Sequence, residues 1–109
     1  VEGELPLGLP LAYWQDLAGY DPVAAAAALP QPLLILQGGR DYQVTVEADF
    51  ARWQAAFEGD ARARLVLMEP LNHLFQYGEG PSTPAEYQRP APVPAPVTDT
   101  IAAFIHGRL

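Results

Sequence analysis

Apolar positions along the chain fall into helix-spaced and continuous runs, separated by proline and glycine. After Pro10, the segment LAYWQDLAG places Leu11, Trp14 and Leu17 at helical spacing with Gly19 behind them, which predicts a short helix with a proline start and a glycine stop. Asp21-Pro22 supplies an N-cap and a first-turn proline for VAAAAAL, and Pro30 ends this second helix by disfavouring a helical Leu29. Leu33 to Gln37, LLILQ, is a continuous run instead. Bounded by Pro32 and Gly38-Gly39, it has the pattern of a strand buried on both faces.

Beyond the loop GGRDYQVT, Thr45 caps a helix predicted from Val46 to Glu58, in which Phe50, Trp53 and Phe57 form an apolar stripe and Gly59 is the stop. Arg64 to Glu69, RLVLME, closes with Pro70 and reads as a second buried strand. Strand, helix, strand is a βαβ unit. Its parallel strands bring both C-terminal ends, and the loops that follow them, to one edge of the sheet. Prolines at 90, 92, 94 and 96 then form a stiff connector, and their even spacing excludes the three-residue interval of a P-x-x-P ligand. Thr98 or Asp99 is expected to cap a last helix carrying Ile101, Phe104 and Ile105, with Gly107 at its end.

The 109 residues suit one small domain or part of a larger one, and 50% hydrophobic with 17% charged residues is composition enough for a packed core. A net charge of -7, with six arginines and no lysine, repels phosphate, which argues against nucleic acid and anionic membrane as partners. The absence of cysteine removes disulfides, a thiolate nucleophile and zinc–thiolate sites, and leaves the compartment open. No apolar run reaches the roughly 18 residues of a membrane span. Opening on Val1, with neither an initiator Met nor the basic and apolar regions of a signal peptide, the chain reads as trimmed, processed or subcloned.

Asp41 lies just past the first strand and His73 just past the second, so the βαβ geometry alone brings a carboxylate and an imidazole to one edge. A carboxylate that accepts from one imidazole nitrogen fixes the tautomer and leaves the other nitrogen as a general base. Such a pair is two-thirds of a nucleophilic triad. Asp and His on neighbouring loops also cap turns in many proteins, and spacing alone does not separate the two roles.

The words LILQGGRDYQVTVEADFARW, MEPLNHLF and STPAEY before a terminal helix resemble the C-terminal part of the α/β-hydrolase fold, closest to serine esterases of the dienelactone-hydrolase and acyl-peptidase-like kind. The resemblance runs from Tyr13 to the terminal helix. It implies a partial α/β-hydrolase fold, with a βαβ unit of parallel strands plus flanking and C-terminal helices. It also implies a triad in chain order Ser, Asp, His, in which Asp41 and His73, 32 residues apart, are the acid and the base. The departure is the nucleophile: no G-x-S-x-G elbow is present. The only serine, Ser82, lies downstream of His73 between prolines and is expected to satisfy a backbone N–H toward Glu86. Residues 1–109 then correspond to the C-terminal portion of a hydrolase domain without its nucleophile and oxyanion hole.

Around the pair, Tyr42 and Gln43 either orient the acid or are ordinary structural groups of the loop. Leu74, Phe75 and Tyr77 follow His73; Phe75 and Tyr77 are candidates for an apolar wall against substrate, with core packing as the alternative. His106 suits the C-terminal end of the last helix. Glu69 and Glu86 have no partner at a metal-ligand spacing, so neither a metal nor another cofactor is expected. The implied parent hydrolyses a small-molecule carboxylic ester, with a peptide or amide as second choice. The rival expectation is a self-associating binding module with a silent Asp–His pair. In either case two strands alone leave sheet edges and faces to cover, which predicts a homodimer or other homo-oligomer.

Overall fold

The computed structural model describes residues 5–109; Val1 and its neighbours up to residue 4 lie outside the described residues. After a short 3-10 turn at Pro6–Gly8, helix α1 spans Leu11–Ala18 and helix α2 spans Pro22–Ala27. Asp21 caps α2 as its sequence predicts, its Oδ1 accepting from the backbone N–H of Val23 at 3.0 Å and of Ala24 at 3.2 Å. Strand β1, Leu33–Gly38, pairs in parallel with strand β2, Ala63–Met68, in a register running from Leu33 opposite Ala63 to Gly38 opposite Met68. The expected βαβ unit is present, and the loops after β1 and β2 leave from the same edge of the sheet.

The connecting helix differs in form from the regular one expected over Val46 to Glu58. Its first turn, Val46–Phe50, is π-helical, and only Ala51–Ala56 is regular α-helix, α3. Phe50 N–H bonds to Thr45 C=O, five residues back, at 3.1 Å. The reason lies in the cap. Thr45 accepts from Ala48 N–H at 3.1 Å, but the carboxylate that reaches back to Thr45 N–H, at 2.8 Å, belongs to Asp49, one residue later than in an ordinary capping box. The turn widens to accommodate it. Phe50 and Phe57 are buried as the stripe predicts, and Trp53 stacks on Phe57 with ring centroids 6.1 Å apart.

The last helix, α4, spans Ala95–Ile105, so it starts earlier than a cap at Thr98 or Asp99 allows. Pro94 is the extended residue at its start, and Pro96 falls within the first turn, where a missing N–H is no loss. Thr98 and Thr100 instead donate back to Ala95 C=O at 3.1 Å and Pro96 C=O at 2.7 Å. The stiff connector is correspondingly shorter than the proline run. His106 caps the C-terminal end, followed by Gly107 at φ +70, a left-handed position that favours glycine.

Neither strand is buried on both faces, which corrects the expectation from their apolar runs. Leu33 to Leu36 are half-buried, Leu67 is exposed, and only Gln37 and Gly38 of β1 are buried. Leu11, Tyr13 and Leu17 of α1 are also exposed. The accessible area of 7518 Å² compares with about 5,900 Å² for a globular chain of this mass. The radius of gyration is 16.6 Å, against about 13 Å for a compact chain of this length. Among the described residues, two strands and four short helices do not wrap both faces of their own sheet.

Candidate active site

The site grows from the end of β1. Gly38 and Gly39 bring the chain against the end of β2 and the backbone that follows it: Gly39 N–H donates to Met68 C=O and Arg40 N–H to Leu71 C=O, both at 2.9 Å. A Cβ on Gly38 would stand 2.5 Å from Asn72 O and 2.7 Å from Leu71 O, so this approach requires glycine. Asp41 follows at once. Its Oδ1 accepts from the backbone N–H of Gln43 at 2.8 Å and of Val44 at 2.9 Å, an Asx turn that fixes the carboxyl plane. Gln37 secures the same loop from within the strand, its Nε2 donating to Val44 C=O at 2.7 Å and Gly38 C=O at 2.9 Å.

That arrangement leaves Asp41 Oδ2 facing the second loop, where it lies 2.8 Å from His73 Nδ1. The acid side chain is only 7% exposed and the imidazole 37%, so the pair is sheltered on the carboxylate side and open on the imidazole side. A carboxylate acceptor assigns the proton to Nδ1 and leaves Nε2 with a free lone pair. Chemically, a pair so arranged is able to serve as an oriented general base.

The His73 loop is shaped by Asn72, which is 0% exposed. Asn72 Oδ1 accepts from the backbone N–H of Leu74 at 2.9 Å and of Gln76 at 3.0 Å, while its Nδ2 donates to Glu86 Oε1 at 2.8 Å. The tight loop forces Phe75 to φ 57, a left-handed conformation unusual for an aromatic residue. Glu86 gathers further partners. Arg40 pairs with its Oε2, and Ser82 Oγ donates to Oε1 at 2.9 Å, so the serine serves a side-chain carboxylate rather than the expected backbone N–H.

Hydrogen bonds from Arg40 first, then Asn72 and Ser82, hold the Glu86 carboxyl down from 4.5 to about 2. Folding therefore favours the ionised form, and its contribution is present above the ordinary value and lost as pH falls toward about 2. Urea midpoints measured across this range should show the wild-type advantage over Glu86→Gln shrinking from about pH 4.5 downward. A constant gap would mean that the carboxylate charge carries none of the difference.

Tyr42 stacks on Tyr87 with centroids 6.1 Å apart, and Tyr87 Oη donates to Gln43 Oε1 at 2.7 Å. Burial pushes the Tyr87 phenol up. Both sequence candidates next to the acid thus tie its loop to Tyr87. Phe75 is half-buried two residues beyond His73. Tyr77 is exposed and lines a groove of about 470 Å³ with Leu67, Met68, Leu71 and Pro96, a groove that neither Asp41 nor His73 lines. Sequence reading missed Gln37, Asn72 and the gathering role of Glu86. Gln37 carried one signal, as the polar end of an otherwise apolar strand.

An acid and a base on the two loops after parallel strands place the chain among candidates for hydrolytic catalysis. The chain is similar to Esterase EstD of Thermotoga maritima, with 41% identity over 102 residues. That match covers 94% of this chain but 24% of the esterase, so the chain spans about a quarter of its relative's length. No family model matches the chain, and no solved structure does.

Proposed function

We propose that this chain is the acid- and base-bearing C-terminal part of a serine carboxylesterase with the α/β-hydrolase fold. The observation that carries the reading is the 2.8 Å contact between Asp41 and His73 on adjacent loops, in the chain order acid then base. The identity to an esterase over nearly the whole chain supports it. In this reading Asp41 holds the imidazole with Nδ1 protonated, and Nε2 takes the proton of a serine hydroxyl as that oxygen attacks the ester carbonyl. The same imidazole then returns the proton to the leaving alcohol. Phe75, two residues beyond His73, supplies apolar surface for the acyl or alcohol group, Tyr77 lines a groove apart from the pair, and the uncovered sheet faces pack against the rest of the esterase.

The nucleophile comes from outside these 109 residues. Ser82 is buried and its hydroxyl is committed to Glu86 Oε1 at 2.9 Å. The purified chain should therefore show no saturable hydrolysis of a short-chain p-nitrophenyl ester, because a base without nucleophile and oxyanion donors has nothing to activate. Turnover by the pure chain that disappears in Ser82→Ala would overturn this reading. Light scattering on the purified chain tests the expected self-association: a monodisperse, cooperatively unfolding monomer would show that the chain covers its own sheet edges.

A further inference from the structure

We infer that Glu86 is the positioning residue of the Asp41–His73 pair, acting through the residue immediately before each. The inference rests on the acid and base roles proposed above. Among the described residues, Glu86 forms no hydrogen bond or ion pair with Asp41 or His73. Its carboxylate instead joins Arg40, which precedes the acid, to Asn72, which precedes the base.

Three kinds of observation carry this. The first is burial: the Arg40 and Glu86 side chains are each 9% exposed and Asn72 is 0% exposed, so the junction is screened little by water. The second is complementarity. Glu86 Oε1 receives Asn72 Nδ2 at 2.8 Å and Ser82 Oγ at 2.9 Å, while Oε2 receives the Arg40 guanidinium and lies 3.5 Å from the exposed Arg89; one carboxylate has lone pairs for these donors, and an amide in its place has acceptors on one atom only. The third is reach. Arg40 also donates through Nε to Gly80 C=O at 2.8 Å, and its guanidinium fills the space where a side chain on Gly78 would stand. Segment 78–86 is thereby fastened to the acid loop as well as to the base loop.

The backbone carries the effect onward. Arg40 N–H is bonded to Leu71 C=O at 2.9 Å, so the residues just before acid and base already share one hydrogen-bonded seam, and Glu86 closes it on the side-chain level. With that closure intact, the loops that carry Asp41 and His73 cannot separate at Arg40 and Asn72 without breaking a buried, charge-assisted contact. A loop staple of purely structural purpose would stabilise the fold without being coupled to the imidazole. A positioning residue is coupled to it, and that difference can be measured.

The test uses the whole esterase to which the chain is assigned, with Glu86→Gln, His73→Ala and the double variant assayed on a p-nitrophenyl ester. Glu86→Gln should lower kcat by about 10- to 100-fold with KM changed less than about threefold, the pattern of a lost supporting contact. In the His73→Ala background the same substitution should have no further effect on the residual rate, since the group it positions is gone. The far-downfield proton resonance of the Asp41–His73 hydrogen bond should broaden in Glu86→Gln and remain sharp in the wild type. Equal losses in both backgrounds, or an unchanged kcat, would overturn the inference while leaving the acid–base reading standing. Full activity in His73→Ala would instead overturn that reading. If Glu86→Gln fails to fold, Arg40→Lys keeps the charge but loses the fork. It should likewise reduce kcat only where His73 is present, and equal losses in both backgrounds would again sink the idea.

Discussion

If the proposed function holds, replacing His73 with Ala in the whole protein should lower kcat by a factor on the order of 10⁴ to 10⁶ with little change in KM, because in that reading the lost group acts on the reacting proton and not on bound substrate. Asp41→Asn should cost about 10⁴ for a different reason. Asp41 Oδ1 is already committed to the backbone N–H groups of Gln43 and Val44, so an Asn must keep its carbonyl oxygen there. Its NH₂ then replaces Oδ2 against His73 Nδ1, where the structure now has a 2.8 Å contact. A donor facing Nδ1 moves the imidazole proton to Nε2, the nitrogen that has to accept. Geometry survives and the base does not. Stopped-flow turnover with an activated ester checks both variants, and an Asp41→Asn enzyme within tenfold of wild type would show that the carboxylate does not set the tautomer.

Local signals explain why this pair could be read from sequence. LLILQ and RLVLME are short apolar runs closed by Gly-Gly and Pro, and they became β1 and β2 within a residue of the expected limits. Parallel pairing then dictates that Asp41 and His73 emerge at the same edge. Glu86 is legible in the sequence only as an acid without a partner at a metal-ligand spacing, because its hydrogen bonds require three segments around residues 40, 72 and 86 to meet, and no periodicity encodes such a meeting. The π-helical turn escaped for want of a one-residue distinction: Asp49, rather than the residue before it, reaches back to Thr45. The start of α4 was hidden because a proline run reads as connector, although proline is also at home in a helix's first turn. Strand burial differs from its expectation for a more general reason. A run such as Leu33 to Leu36 carries the composition of a covered strand, and the coverage depends on neighbours that residues 5–109 do not provide.

Gly38→Ala should disable the site from outside the reacting groups. The added Cβ would lie 2.5 Å from Asn72 O, 2.7 Å from Leu71 O and 3.1 Å from the Asn72 carbonyl carbon. All three are backbone atoms of the loop that carries His73, so no side chain can swing away to make room. Relief requires the two loops to separate, and the seam they share includes the bonds from Gly39 N–H to Met68 C=O and from Arg40 N–H to Leu71 C=O. Overpacking of this kind costs about 1–3 kcal/mol of stability. The larger effect is on catalysis, because displacement of about 1 Å between reacting groups lowers the rate on the order of 10²-fold. Gly19→Ala is the matched control: Gly19 has φ -86, and its added Cβ would meet nothing closer than 3.8 Å. Expected, then, is a Gly38→Ala esterase that still folds, melts several degrees lower and loses about 10²-fold in kcat, beside a Gly19→Ala enzyme unchanged in both. Equal behaviour of the two variants would show that the close approach of the acid and base loops is not what sets the distance between Asp41 and His73.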